Sequence, residues 1–543
     1  MAAIITDHFR RNQARLLVND IKASADSEFD STANSSSNSN ESNWPYRGNN
    51  RYAIGLGKSD SWPTVGTVAE NAVNFVTPSP AGNRQEDEDI INNLFTLKDV
   101  GGASVKQMIA KNPWTTGRKY KVYDSADNDS FYATGDLYPC YVTHGNSVYI
   151  VLSNTAVNGA FTSVQTSTTA PSVSNPYEFS QPVQGYVWCE VAKIDSSDAL
   201  VTNQFVPIKR NVDVSPTINA TMRNKTAGLL SHVGIISGGS GYSSNTSITA
   251  TIVKHSGATL SPTIKFIPII DGNGVIQRVD IRDTNNSPTQ AGSYKYWTGT
   301  DASGLVASSV AFADRIKSIT LHINDAGSSS ESSESGGSGA QLSATIAPST
   351  GYGYNAIDIL PTWFVGINVD FAQTETDNDA PALKFRQVSL LKNFVRTADS
   401  GDTSVGTLDA LDSITLHTPA SSFPTLNEGQ VLYQRTTNAK FYVDYYDTAT
   451  SKLYYHQNSD GEINTIKLQS GTVGTNHAIG TTTNGSQVSA GVSSVNQSEY
   501  RSRIASGAVF DGEFNGEVIF HENRKPFSRN STQTEEVKLI IQL

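Results

Sequence analysis

From Tyr120 onward the chain is written in short runs of alternating apolar and polar residues, cut by turn residues. YKVYD, YVTHGNSVYIVLSN and GYVWCEVAKI are the first of these runs. Alternation of period two places successive side chains on opposite faces of a strand, and Gly, Asn and Ser clusters supply the breaks. WFVGINVDF, KFRQVSLLKNF, QVLYQRTTNAKFYVDYYD and KLYYHQNSDGEINTIKL continue the pattern. At the end, Val537, Leu539, Ile541 and Leu543 alternate with Lys538, Ile540 and Gln542, the period of a half-buried strand. The charged fraction, 17%, lies below the ~25% of an ordinary soluble domain. Ser, Thr, Asn and Gly fill the difference, as short strands joined by turns require. The expected class is mainly β.

Helical text is sparse. Thr6 and Asp7 are suited to cap a helix running to about Ser24, with Phe9, Leu16, Leu17 and Ile21 near helical spacing. Residues 24–50 are Ser- and Asn-rich and read as a loop or linker. RYAIGLG reads as a strand and SDSWP as a turn. Glu86, Asp87, Glu88 and Asp89 would favour the start of a second helix through its dipole. Consecutive acids point in different directions on a helix, so a metal site is the weaker interpretation. Between 211 and 352 the β segments become glycine-punctuated. GGSG occurs at 238–241 and again at 336–339, after AGSSSESSES, which suggests a weak repeat of small β units in a surface insertion. At 543 residues, three or four compact units are expected.

Signatures of catalysis fail one after another. GLGKSD at 55–60 puts Asp60 where a dinucleotide loop needs glycine, and there is no phosphate-binding loop motif. HEN at 521–523 lacks the second histidine of a zinc helix. Ser240 and Ser338 are followed by Tyr242 and Ala340 where a nucleophile elbow needs its last glycine. Asp124, Asp127 and Asp129 lack the EF-hand spacing, so a solvated turn is favoured over a calcium loop. Cys140 and Cys189 read as reduced, partly buried thiols, neither a disulfide framework nor a zinc site. The net charge of -11, with no basic run, argues against nucleic acid as a partner. No signal-peptide pattern and no apolar stretch of about 18 residues is present, so a soluble, cytoplasmically made chain is expected. No catalytic, metal or cofactor-binding residues are assigned. The Tyr- and Phe-rich strands keep a carbohydrate-binding alternative open, beside the simpler view that aromatics pack across strands.

Several segments, in order, resemble the dimeric baseplate wedge subunit of contractile-tailed bacteriophages. They are ITDHFRRNQARLLVNDI, RYAIGLGKSDSWP, NPWTTGRKYKVYD, YVTHGNSVYIVLSN, GYVWCEVAKI with FVPIK, KFRQVSLLKN, GEVIFHENRKP and TQTEEVKLIIQL. The resemblance covers about half the chain. It implies a β-sandwich core with helix-bearing loops, carried by 1–210, 353–395 and 514–543. Small β domains would be inserted at 211–352 and 396–513, the first similar to glycine-rich units of marine phages. It further implies a homodimer that contacts other baseplate wedge subunits in the virion tail, assembled in the host cytoplasm, with no enzymatic activity and no cofactor. HENRKP would then be a turn between two core strands. A tail-associated carbohydrate-binding adhesin is the alternative function, and a glycan-cleaving enzyme a more distant one.

Overall fold

The structure is a computed structural model. It describes residues 6–25, 52–57, 90–91, 94–125, 128–157, 160–161, 164–173, 185–209, 228, 230–260, 264–282, 316–325, 337–348, 351–371, 384–392, 407–409, 412–417, 426, 430–435, 437–448, 451–456, 468–470, 479–480, 487–489, 492–496, 517–528 and 535–543. WPYRGNN, SDSWP, Glu86 to Asp89, AGSSSESSES and Asp127 lie outside them. The fold is predominantly β, built of several small, almost entirely antiparallel sheets with few helices. Two compact units are distinguished. One comprises Met1–Leu16, Lys106–Gly366 and Ile540–Leu543; the other comprises Leu17–Val105 and Ile367–Leu539.

In the first unit, Tyr141–His144 and Ser147–Val157 form a hairpin that turns at Gly145, whose φ is 56°. Gly185–Lys193 pairs along the other edge of the second strand, with Cys189 opposite Ile150. Both faces of this sheet are covered, and period two sorts the side chains between them. Ile150, Leu152, Val187, Cys189 and Val191 enter one apolar cluster. Tyr149, Val151, Tyr186 and Trp188 enter another with Tyr120. Tyr186 stacks on Trp188 with ring centres 5.3 Å apart, and Tyr120 meets Trp188 edge-on at 5.5 Å. YKVYD is less regular than expected, because only Lys119–Tyr120 is strand. The Val105–Ala110 strand pairs with Phe205–Pro207, Ile109 facing Val206.

Helix α1 spans Asp7–Ala25, and the Thr6 hydroxyl caps it by accepting from the Phe9 amide at 3.3 Å. Its buried stripe is Asp7, Arg11, Ala14, Val18 and Ile21. Phe9 and Leu16, expected on the apolar face, are instead 53% and 38% exposed. The reason lies in the polar partners. Arg11 donates to the carbonyl of Asp358, in the short helix α2 (Ala356–Ile359), and Asp7 accepts from the Tyr132 hydroxyl at 3.2 Å. A buried polar group with partners costs little, so the stripe is chosen by hydrogen bonds as well as by hydropathy.

The glycine-punctuated stretch in this unit has its own apolar cluster, which includes Leu230, Val233, Ile248, Ile252, Phe266, Ile276 and Ile281. Thr246–Lys254 alternates buried and exposed positions and pairs with Ile316–Asp325 and Lys265–Ile270. Lys265–Ile270 in turn pairs with Ile276–Arg282. Leu230–Ser240 pairs with Ser338–Ile346, and Ser240 faces Ser338. The two GGSG copies therefore meet at one end of a single ladder; they do not head separate units.

In the second unit, a five-stranded antiparallel sheet runs in the order Thr407–Asp409, Leu94–Asp99, Tyr52–Gly57, Lys384–Lys392, Glu517–Ser528. Two expectations are corrected here. The second helix is limited, among the described residues, to Ile90 and Ile91, because LFTLKD is a strand. HENRKP is not a turn: it lies inside the Glu517–Ser528 strand, where residues 521–523 and 527–528 pair with Lys384–Lys392 and the register shifts between them. The charges in HENRKP mimic loop text, but an outer strand has one side open to solvent and tolerates them. A seven-stranded sheet fills 412–496, with Lys440–Asp447 and Lys452–His456 near its centre. The final strand is Glu535–Gln542; Leu539 and Ile541 are buried, whereas Val537 and Leu543 are only half-buried.

Candidate functional site

His521 is held beneath its sheet. Its Nδ1 lies 3.1 Å from the Oγ of Ser389, the residue opposite it on the neighbouring strand. Ser389 also accepts from the amide of Gln387 at 3.2 Å, and that amide donates to the Ile90 carbonyl at 2.8 Å. Ser389 and Gln387 are buried. Burial lowers the His521 pKa from its ordinary value, and the Glu522 charge opposes this. The serine is thus enclosed by a cross-strand hydrogen-bond network, which orders the outer strand.

Of the aspartates of DSADND, Asp124 and Asp129 are among the described residues, and they do not converge. Asp129 pairs with Lys121 at 2.5 Å and accepts from Thr134 at 3.2 Å. The Lys121 hydrogen bond holds its carboxyl below the usual range. Asp124 turns the other way, accepting from the Thr345 hydroxyl at 2.9 Å. Among the described residues, no group of three or more His, Cys, Asp and Glu side chains is placed to hold a metal ion. Cys140 and Cys189 are buried, and burial pushes the Cys189 thiol well up. Ser240 and Ser338 face each other on their ladder.

The aromatic strands turn their rings inward. Phe441, Tyr454 and Tyr455 are buried, and Phe441 meets Tyr455 edge-on at 5.4 Å. Lys440 and Lys452 lie over the rings of Tyr442 and Tyr454. Packing across strands accounts for the buried rings, whereas Tyr433, Tyr442 and Tyr446 are half-buried.

Two features have no signature in the sequence. The first is a polar seam between the two apolar clusters that hold Leu230 and Tyr352. Ser231 and Thr345 are both fully buried in it. The Ser231 hydroxyl donates to the Thr345 carbonyl at 3.2 Å and lies 2.6 Å from the Tyr352 hydroxyl. Burial raises the Tyr352 pKa well above its ordinary value. The Ser125 amide donates to the Thr345 hydroxyl at 3.2 Å. His232 lies on the same strand as Ser231; burial lowers its pKa, and the charge of Asp124 opposes this. Ser, Thr and Tyr are common in ordinary strands, so nothing in the sequence separates these from their neighbours. The second feature is the set of exposed large apolar residues: Phe9 and Leu16 on one side of α1, Tyr132, Ile236 and Ile519.

Among the described residues, no helix is long and apolar enough to cross a membrane. Compared with known proteins, the chain matches no protein-family model and none of the curated sequences.

Proposed function

We propose that this chain is a non-enzymatic structural subunit of the baseplate wedge of a contractile phage tail, working as a homodimer among other wedge subunits. The observation that carries this proposal is the pairing of segments far apart in sequence. RYAIGLG, KFRQVSLLKN and GEVIFHENRKP all resemble the wedge subunit, and they are adjacent strands of one sheet. YVTHGNSVYIVLSN and GYVWCEVAKI likewise pair with each other. Segments of one shared core would be neighbours, and the pairing of these strands supports the reading. On this proposal they belong to a β-sandwich core with helix-bearing loops, into which 211–352 and 396–513 are inserted.

The polar chemistry of the described residues agrees with a scaffold. His521, Asp124, Asp129 and the two cysteines are each tied into strands or turns. A wedge component must hold neighbours in one geometry and then allow a second, and packed β modules have discrete arrangements suited to that task. The test is light scattering on the purified chain, followed by reconstruction of a tail that contains it. Twice the chain mass and density for this chain in the wedge are expected. A clean monomer at micromolar concentration, or a position outside the baseplate, overturns the proposal.

A further inference from the structure

The stretch 230–346 and the clustered core around Tyr352 are each apolar inside, but they meet through polar atoms. Apolar packing is non-directional, whereas hydrogen bonds fix angles. At this seam Thr345 donates to one oxygen of Asp124 at 2.9 Å while accepting from the Ser125 amide. The other Asp124 oxygen lies flat against Gly234, where an added Cβ would come within 1.8 Å of it. A glycine at 234 is therefore what allows the carboxylate to close over the strand. Ser231 completes the seam from the same strand, through the Thr345 carbonyl and the Tyr352 hydroxyl.

We propose that Asp124, closed over Gly234 and held by Thr345, is a releasable latch that sets the orientation of the 230–346 module against the rest of its unit. Opened, it frees the base of the Leu230–Ser240 and Ser338–Ile346 strands while both apolar clusters stay intact. The two apolar clusters are separate, so the seam joins them through hydrogen bonds and not through a shared apolar core. A hydrogen bond to a charged group is worth enough to change local opening about tenfold or more. This inference stands on the geometry of the seam and not on assignment to the baseplate.

The experiment is hydrogen–deuterium exchange on the full chain, comparing the parent with Thr345→Val, Gly234→Ala and Thr345→Ser. In the first two, amides of 230–235 and 343–347 should exchange about tenfold faster. Amides of 248–252 and 319–323, and of 148–152 and 187–191, should keep the parent's protection. Thr345→Ser retains the hydroxyl and should behave as the parent. If Gly234→Ala fails to fold, Thr345→Val decides. Unchanged exchange at the seam in Thr345→Val overturns the latch. Equal loss of protection in both clusters also overturns it, because the seam would then be part of one cooperative core.

Discussion

The 230–346 module and the seven-stranded sheet of 412–496 each bury an apolar cluster, but the first adds close backbone approaches at its glycines. In the first, backbone approaches backbone. Tyr242 lies against Gly337, receives a hydrogen bond from the Ala340 amide at 3.2 Å, and donates its own amide to the Gly274 carbonyl at 3.0 Å. Gly239 and Gly337 close on that ring, and Gly274 closes on the Tyr242 backbone amide. In the second, side chains fill the space. Ile414, Leu432, Phe441, Val443, Leu453 and Tyr455 are buried together. Its buried Gln434 is satisfied on both ends, donating to the Gln469 carbonyl at 2.6 Å and accepting from the Gln469 amide at 2.8 Å. The first region should therefore be the more sensitive to atoms added at its glycines, whereas the second is tested most directly by removing a buried ring.

The largest effect is expected from Phe441→Ala. Phe441 is fully buried and edge-on to Tyr455, and deletion of such a ring costs about 3–5 kcal/mol. Chemical denaturation of the full chain should show the transition of this sheet shifting to lower denaturant. A shift within experimental error would mean that the aromatic strands are not its core.

Gly337→Ala is the converse test in the glycine module. The new Cβ would lie 2.2 Å from the Tyr242 ring, an overlap that the surrounding turns do not relieve. Overpacking of this kind costs about 1–3 kcal/mol. Gly272→Ala is the control, since nothing lies within 4 Å of its added Cβ. Denaturation midpoints for the two variants should separate clearly; equal midpoints would remove the argument from close approach.

The contrast also explains what was legible in the sequence. Strand text is legible in YVTHGNSVYIVLSN and GYVWCEVAKI, where alternation meets burial on both faces, but not in YKVYD, which leaves the strand after Tyr120. It failed where charge resembled loop chemistry: HENRKP lies on an outer strand, where solvent satisfies what a central strand could not. It failed on α1 because Asp7 and Arg11 find polar partners hundreds of residues away, and hydropathy cannot register such pairing. GGSG was visible as a repeat, but the ladder that joins its two copies is a non-local fact. The seam around Thr345 is invisible for the same reason, and the sequence shows Asp124 only as one acid of DSADND.

Acidity should separate the regions more gently. Burial lowers the His232 pKa within the glycine module, so the folded state resists a proton that the unfolded chain accepts. Stability from this group is complete above its ordinary value of about 6.5 and is lost as pH falls below it. Asp124 is the charge that opposes the shift. His521 has the same sign in the other unit, so the informative quantity is the difference between the parent and His232→Gln. The parent's melting temperature should fall between pH 7 and pH 5.5 by more than that of the variant. Parallel curves would show that His232 titrates alike in both states.

The smallest effect tests the turns themselves. The glycine module places glycine at its left-handed positions, with φ of 62° at Gly239, 78° at Gly241 and 75° at Gly274. The seven-stranded sheet uses Asn438 at 60° and Ser451 at 57° instead. Asn tolerates that region through its short polar side chain, whereas Ser has no comparable compensation and its Cβ crowds the following carbonyl. Glycine at 451 would relieve that crowding, but it also adds conformational freedom to the unfolded chain. The net expectation is a gain of about 0.5 kcal/mol for Ser451→Gly and a smaller one for Asn438→Gly. Melting curves of the two variants against the parent decide it. A loss of stability in Ser451→Gly would show that the Ser451 side chain contributes more to the turn than its backbone strain removes, and that the second region does not depend on turn geometry at all.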